Sequence, residues 1–256
     1  MNTEEQNLFP LGKGCHLIGH HQETNIWAID KAPGILTHPN FQSKSKKKGS
    51  LKTLFDAKFN FQEEAYEWTD GAGVLQKVFL VHRLDSPTSG IILVTTNKEI
   101  SSLLKIAFTE QRVQKTYHAI VRANGLIRPR IWRDKLYEVK KQGKLRVKWG
   151  QSGSEAVTEV QLASNTSQRN EFRLLRLKPR TGRTHQLRVQ CSKRGMPIVG
   201  DQTYGDFSLN RRVEKSTKRS QLFLHATSIS LSLDYKNRPL TVLFETSLPR
   251  SFGKLI

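Results

Sequence analysis

The chain has 256 residues, with 42 Lys and Arg against 22 Asp and Glu, a formal net charge of +20. Its two cysteines, Cys15 and Cys191, are too few for a disulfide framework, and no apolar run reaches the length of a membrane helix. Self-repulsion at that charge calls for a polyanion, most often nucleic acid; a membrane surface competes, but no strongly amphipathic basic helix offers itself.

Residues 1–22 are polar and weakly patterned. The opening Met-Asn-Thr-Glu-Glu-Gln has no basic-then-apolar leader pattern, so a soluble cytoplasmic protein is expected. Cys15, His16, His20 and His21 invite a zinc reading. Gly14 and Gly19 argue against a helix presenting His16 and His20 together, and no second ligand pair follows at a usual spacing, so a loop is expected. Asn25–Asp30 reads as a strand running into Lys31-Ala32-Pro33-Gly34, a turn. Phe41–Gly49, with Lys44, Lys46, Lys47 and Lys48, reads as a basic loop that suits phosphate or solvent equally. Ser50 caps a short expected helix with Leu51, Leu54 and Phe55 inward. The acidic stretch Gln62–Gly73 reads as a surface excursion.

Two short apolar runs, Val78–Val81 and Ile91–Val94, read as buried strands. Between them lies His82-Arg83-Leu84-Asp85-Ser86-Pro87-Thr88-Ser89-Gly90, a loop pinned at both ends. A carboxylate held that way suits a nucleophile or general base, although an Asp before Ser-Pro taken alone is more often a turn cap. Thr96-Asn97-Lys98-Glu99 has the capping-box pattern, and Ile100, Leu103, Leu104, Ala107 and Phe108 follow on one helical face. Tyr117 opens a strand to Arg122, where a tyrosine ordinarily serves packing. Arg128–Lys148 is densely basic, and Leu145, Val147 and Trp149 alternate with Arg146 and Lys148 as in a half-buried edge strand. Ala156–Leu162 and Phe172–Leu177 are further strands, separated by a polar turn at 165–170. Strands in succession imply antiparallel pairing.

Pro179 and Gly182 mark a loop, Thr184 is a fitting N-cap, and Gly195 with Pro197 stops the helix. Arg188 then lies in that helix's early turns, and His185 reads as a capping or packing residue. Arg211, Arg212, Lys215, Lys218 and Arg219 read as a basic loop. Leu222–Ala226 starts a strand, Asp234–Pro239 turns a hairpin, and Leu240–Phe244 pairs back. The fold class is mixed α/β, a largely antiparallel central sheet in two halves with flanking helices and a cleft between the halves.

The nine residues His82–Gly90 resemble the catalytic motif of the RluA-type pseudouridine synthases, His-Arg-Leu-Asp-x-x-Thr-Ser-Gly, at every fixed position. Lys31–Pro39 resembles that family's Lys-Pro-x-Gly-x-x-x-His-Pro except at Ala32, which implies structural support beneath the catalytic loop. Lys115-Thr116-Tyr117 is similar to its Lys-x-Tyr. Thr181–Arg188 resembles Thr-Gly-Arg-x-His-Gln-Leu-Arg once Thr184 takes the variable place, and Gly200-Asp201-x-x-Tyr204-Gly205 resembles the sequel. The resemblance implies a pseudouridine synthase domain over 23–256 behind an extension at 1–22. It implies isomerisation of uridine to pseudouridine in structured rRNA or tRNA, with no metal or cofactor. Asp85 is then the catalytic residue, attacking ribose or ring or assisting elimination. Arg83 fills the gap left by the extruded base, Tyr117 stacks on the uracil, Arg188 pairs with Asp85, and Leu224 (with Leu222 as the alternative) packs beside the base. A monomer with RNA as its partner, and neither a membrane nor an obligate protein partner, is expected. The alternatives are a non-catalytic RNA-binding or assembly protein that kept the fold, and a base-excising glycosylase using the same carboxylate.

Overall fold

The computed structural model describes residues 8–39, 52–122, 130–141, 144–163 and 171–256. The expected basic loop Phe41–Gly49, Ser50, Leu51, Arg128 and the turn at 165–170 lie outside the described residues. The chain divides into two compact units, one of Met1–Val113 with Ile229–Thr246, the other of Gln114–Ser228 with Ser247–Ile256.

In the first unit, β1 (Cys15–His21) pairs antiparallel with β2 (Ile26–Lys31). The expected loop at Cys15, His16, His20 and His21 is therefore a strand. Its alternation is broken by a bulge between Leu17 and Gly19, which hid the period of two from the sequence. Gly19 is required there, because the Phe244 ring lies 2.6 Å from where a Cβ would stand. β3 (Lys58–Asn60), β4 (Ala65–Thr69), β5 (Leu75–Leu80) and β6 (Ser89–Thr95) form an antiparallel run, with β2 on the far side of β6. All seven residues of β6 are buried, which is why it reads as an unbroken apolar run.

Two expectations fail here. Gln62–Gly73 is no surface excursion: it contains β4, whose Ala65 and Tyr66 are fully buried. The helix expected after Ser50 is absent over the described Lys52–Phe55. The Leu36 N–H donates to the Lys52 carbonyl and the Leu54 N–H to the Leu36 carbonyl, so an extended pairing takes the backbone groups a helix would use.

α1 (Lys98–Thr109) forms as expected, with its cap one residue later than the capping-box reading placed it. The Asn97 side chain accepts from the N–H groups of Glu99 and Ile100 at 2.9 and 3.2 Å. Ile100, Leu104 and Ala107 pack against Ile91, Leu93 and Leu231 behind β6. Leu104 is fully buried, and Leu104→Ala is expected to cost about 2–5 kcal/mol in urea unfolding. A loss near zero would mean that α1 does not brace β6.

In the second unit, β7 (Val113–Arg122, from Gln114 on), β8 (Arg130–Lys141), β9 (Lys144–Trp149), β10 (Ser154–Leu162) and β11 (Phe172–Pro179) lie in the order β7-β11-β10-β8-β9, all antiparallel. β9 ends that order, but of its three expected inward residues only Val147 is buried. Leu145 and Trp149 are 37% and 50% exposed. The cluster that covers Val147 is small, made of Leu136, Ala156 and Val189.

Two helices cover this sheet. α2 (Gln186–Lys193) packs Leu187 and Cys191 against Ala119, Val121, Leu175 and Leu177. α3 (Phe207–Thr217) packs Leu209 and Val213 against Ile120, Leu174 and Phe223. Alternate residues of β7 thus face different helices, as the two-residue period of a strand requires. α3 corrects the basic loop expected at 211–219. The Asp206 carboxylate caps it, accepting from Ser208 and Leu209, and Leu209, Asn210 and Val213 make a narrow buried stripe that the charge run masked. β12 (Leu224–Tyr235) gives its first residues to this unit and the rest to the first unit, where β13 (Arg238–Glu245) pairs with it. Lys236 and Asn237, both left-handed at φ 52° and 60°, make the expected hairpin turn.

Candidate active site

The loop His82–Gly90 leaves β5 and returns as β6. Its ends and its middle are anchored separately. His82 Nε2 accepts the Leu93 N–H at 2.9 Å, which places the ring proton on Nδ1, and the ring stacks on Phe108. Leu84 exchanges two hydrogen bonds with the Thr37 hydroxyl, at 3.2 and 3.0 Å. The Thr88 N–H donates to the Asp85 carbonyl at 3.0 Å, closing a turn, and Thr88 and Ser89 are buried. The Asp85 side chain is half-buried on that turn, and Arg83 is exposed. Arg83 Nη1 donates to His38 Nε2 at 3.0 Å, and the His38 ring lies on Phe59.

Beneath the loop lies Lys31–Thr37. The Lys31 ammonium is fully buried and donates to the carbonyls of Ala32, Ile35 and Ser86 at 3.1, 2.9 and 3.1 Å. Ser86 also accepts the Gly34 N–H at 2.8 Å; Gly34 sits at φ +86°, a conformation glycine adopts freely. Burial pushes Lys31 down to about 8, with Cys15, Asp85 and Asp30 pulling the other way. A buried positive charge one residue along the backbone from Asp85 therefore fixes the turn that carries it.

The second unit holds the other expected site residues, Tyr117, Arg188 and Leu224. Tyr117 is half-buried on β7, opposite Leu177. It packs against the cluster that contains Leu224, Leu222 and Leu187, so the aromatic, the leucine and the residue before Arg188 share one apolar group. Arg188 is 4% exposed. Its Nε and Nη2 donate to Asp201 Oδ2 and Oδ1, both at 2.8 Å. Its guanidinium also lies 5.2 Å from the Tyr204 ring centre. Burial alone would raise the Asp201 carboxyl, but the guanidinium beside it, with the Thr203 and Tyr204 N–H groups, holds it below the ordinary carboxylate range.

Polar side chains also join α2 to β10. Gln186 accepts from the Thr181 hydroxyl and the Arg183 N–H, and donates to the Val157 carbonyl and the Thr158 hydroxyl. Gln190 donates to the Ala156 carbonyl and to Asp134, and accepts from Thr158. The cap residue is His185 (φ 52°), not Thr184, and its Nδ1 bonds the Tyr204 hydroxyl at 2.8 Å.

The first unit thus carries a pinned acidic loop, and the second a helix stitched by side-chain hydrogen bonds from Gln186, Arg188 and Gln190. The family model of RNA pseudouridylate synthase matches residues 25–193. The chain belongs to that family. The tRNA pseudouridine synthase C of Yersinia pestis is 30% identical over 230 residues, covering 87% of this chain and 83% of its own. The ribosomal large subunit pseudouridine synthase D of Borreliella burgdorferi is 33% identical over 220 residues, covering 83% of this chain and 60% of its own. The solved structure of human RNA pseudouridylate synthase domain containing 1 shares the fold, with a TM-score of 0.61 at 21% identity, covering 92% of this chain and 86% of that one.

Within this pseudouridylate synthase, sequence reasoning named Asp85, Arg83, Tyr117, Arg188 and Leu224 but missed Thr37, Gln186, Asp201 and Tyr204. Each missed residue stands in a motif that was recognised. For Gln186, Asp201 and Tyr204 the available signal was the motif itself, since a polar residue fixed where a helix or turn is buried needs a partner; Thr37 stands at a variable place and carried no such signal.

Proposed function

We propose that this synthase isomerises uridine to pseudouridine in a structured RNA, tRNA or large-subunit rRNA, with Asp85 as the catalytic carboxylate. The N1–C1′ bond breaks, the uracil turns while held, and C5 bonds C1′; the C5 proton leaves to solvent and N1 takes one up. Asp85 attacks the ribose or the ring, or assists elimination. Arg188 pairs with Asp85, Tyr117 stacks on the extruded uracil, Leu224 packs beside it, and Arg83 enters the vacated place in the RNA. The observation that carries this reading is the pinning of the Asp85 turn by Lys31, Gly34 and Thr37 in a chain of this family. The exposure of Arg83 supports its role. No helix among the described residues is long and apolar enough to cross a membrane. We place the protein in the cytoplasm, as a monomer that meets RNA without an obligate protein partner.

The test is tritium release from [5-³H]uridine-labelled transcripts of tRNA and of large-subunit rRNA. Turnover on one of them supports the proposal. Binding without release on every transcript would leave the non-catalytic RNA-binding reading in its place.

The net charge of +20 predicts steep salt dependence of RNA binding. With six to ten phosphate contacts, affinity falls about 10³- to 10⁵-fold between 50 and 200 mM salt. A flat response in filter binding would remove phosphate neutralisation as the source of affinity.

A further inference from the structure

Arg188 already has a carboxylate. Asp201 takes both Nε and Nη2 in a fork-to-fork pair at 2.8 Å, with the two side chains 5% and 1% exposed. A guanidinium is planar, so two bonds along one edge fix its orientation, and Nη1 lies on the edge turned away from Asp201. Asp201 is itself immobilised. Its Oδ1 also accepts the N–H groups of Thr203 and Tyr204 at 2.8 and 3.0 Å. Its carbonyl accepts Asn210 Nδ2 at 3.0 Å, while Asn210 Oδ1 accepts the Gly200 N–H at 2.7 Å. Asn210 lies on α3, whose apolar side is set in the core. Gly200 allows no side chain, since a Cβ would stand 1.8 Å from the Gln221 carbonyl oxygen. On the other side of Arg188, Tyr204 is held through its hydroxyl, which accepts the Val147 N–H at 2.8 Å.

We infer that Asp201 is the positioning residue of this site, fixing the orientation of the Arg188 guanidinium that the proposed pairing with Asp85 uses. The inference rests on the proposed pairing of Arg188 with Asp85. An arginine engaged only by the catalytic carboxylate would be free to swing with it. An arginine clamped from behind presents a fixed donor, so the carboxylate is oriented by the protein frame. Asp201 touches no reacting atom; it acts through Arg188.

Asp201→Asn keeps the shape and removes the charge, and it sets an amide N–H₂ against one guanidinium N–H. Misplacement by about 1 Å lowers turnover about 10²-fold. The expected result, with a [5-³H]uridine transcript that the wild type turns over, is a kcat down about 30- to 100-fold with KM within about threefold. In an Arg188→Ala background, Asp201→Asn should lower kcat no further, because its effect passes through the missing guanidinium. A merely structural role would lower both backgrounds by the same factor, and that result would overturn the inference. A second measurement needs no Asp201 variant. In ¹⁵N-arginine spectra of the wild type, the Arg188 Nε–H should exchange slowly with water and disappear in Arg188→Lys. Exchange as fast as that of exposed arginines would overturn the clamp. Loss of turnover in Asp85→Ala and a lowered but measurable kcat in Arg188→Ala, with full turnover in Asp201→Asn, refutes this inference alone. Unchanged turnover in Asp85→Ala and Arg188→Ala refutes the proposed site and this inference with it.

Discussion

Asp85→Asn should lose pseudouridine formation by a factor of about 10⁴ or more, the scale on which deleting a nucleophile acts. The amide is nearly isosteric, and the turn is held by backbone and Thr37 contacts that do not use the carboxylate. Folding should therefore be preserved. RNA affinity should stay within about threefold, because it derives from distributed phosphate contacts and not from one side chain. Tritium release and filter binding on the same transcript separate the two quantities. Turnover near the wild-type rate would remove Asp85 from the chemistry, and loss of binding in parallel would make it a structural residue.

Lys31→Met gives the second large effect, and its direction differs between stability and rate. Lys31 is fully buried and pushed down to about 8 from 10.5, so burying its charge costs about 3 kcal/mol below pH 8. Methionine removes that cost but leaves the carbonyls of Ala32 and Ile35 without this donor, at about 1–3 kcal/mol each, while Ser86 keeps the Gly34 N–H. The two terms oppose, and the net change in stability should be below about 3 kcal/mol near pH 7. The sign of the pH dependence follows from the folded value lying below the unfolded one. The wild type gains on the variant as pH rises from about 8 towards 10.5, and the gain is complete above that. Urea titrations at pH 7 and 10 check this. Turnover is a different matter, because Ser86 follows Asp85 directly and loses one of its two tethers. A shift of about 1 Å in the turn lowers kcat about 10²-fold. A kcat within about threefold of wild type would show that the ammonium does not position the loop.

Much of the fold was legible where an apolar pattern or a turn signal stands unbroken in the sequence. β2, β6, α1 and the hairpin turn at Lys236-Asn237 were read at nearly their true limits. Reading failed where another interaction replaced periodicity. A bulge broke the alternation of β1, a narrow buried stripe under a basic surface hid α3, and tertiary pairing overrode the local helix signal at Leu54 and Phe55. The site residues came from motifs, and the motifs also contained the buttress. What the motifs did not show was which polar residue meets which. The bond of Arg188 to Asp201 joins residues 13 apart, and that of Thr37 to Leu84 joins residues 47 apart. Sequence spacing has no rule for such long-range pairs, whereas burial of both partners in each case supplies one.

In the proposed chemistry one carboxylate, Asp85, carries out the isomerisation. Nucleoside chromatography of a transcript incubated with purified protein tests it most directly. Pseudouridine should replace uridine one for one, with no free uracil and an uncut chain, and Asp85→Asn should give none. Free uracil with an abasic residue, or pseudouridine formed equally by Asp85→Asn, would contradict it.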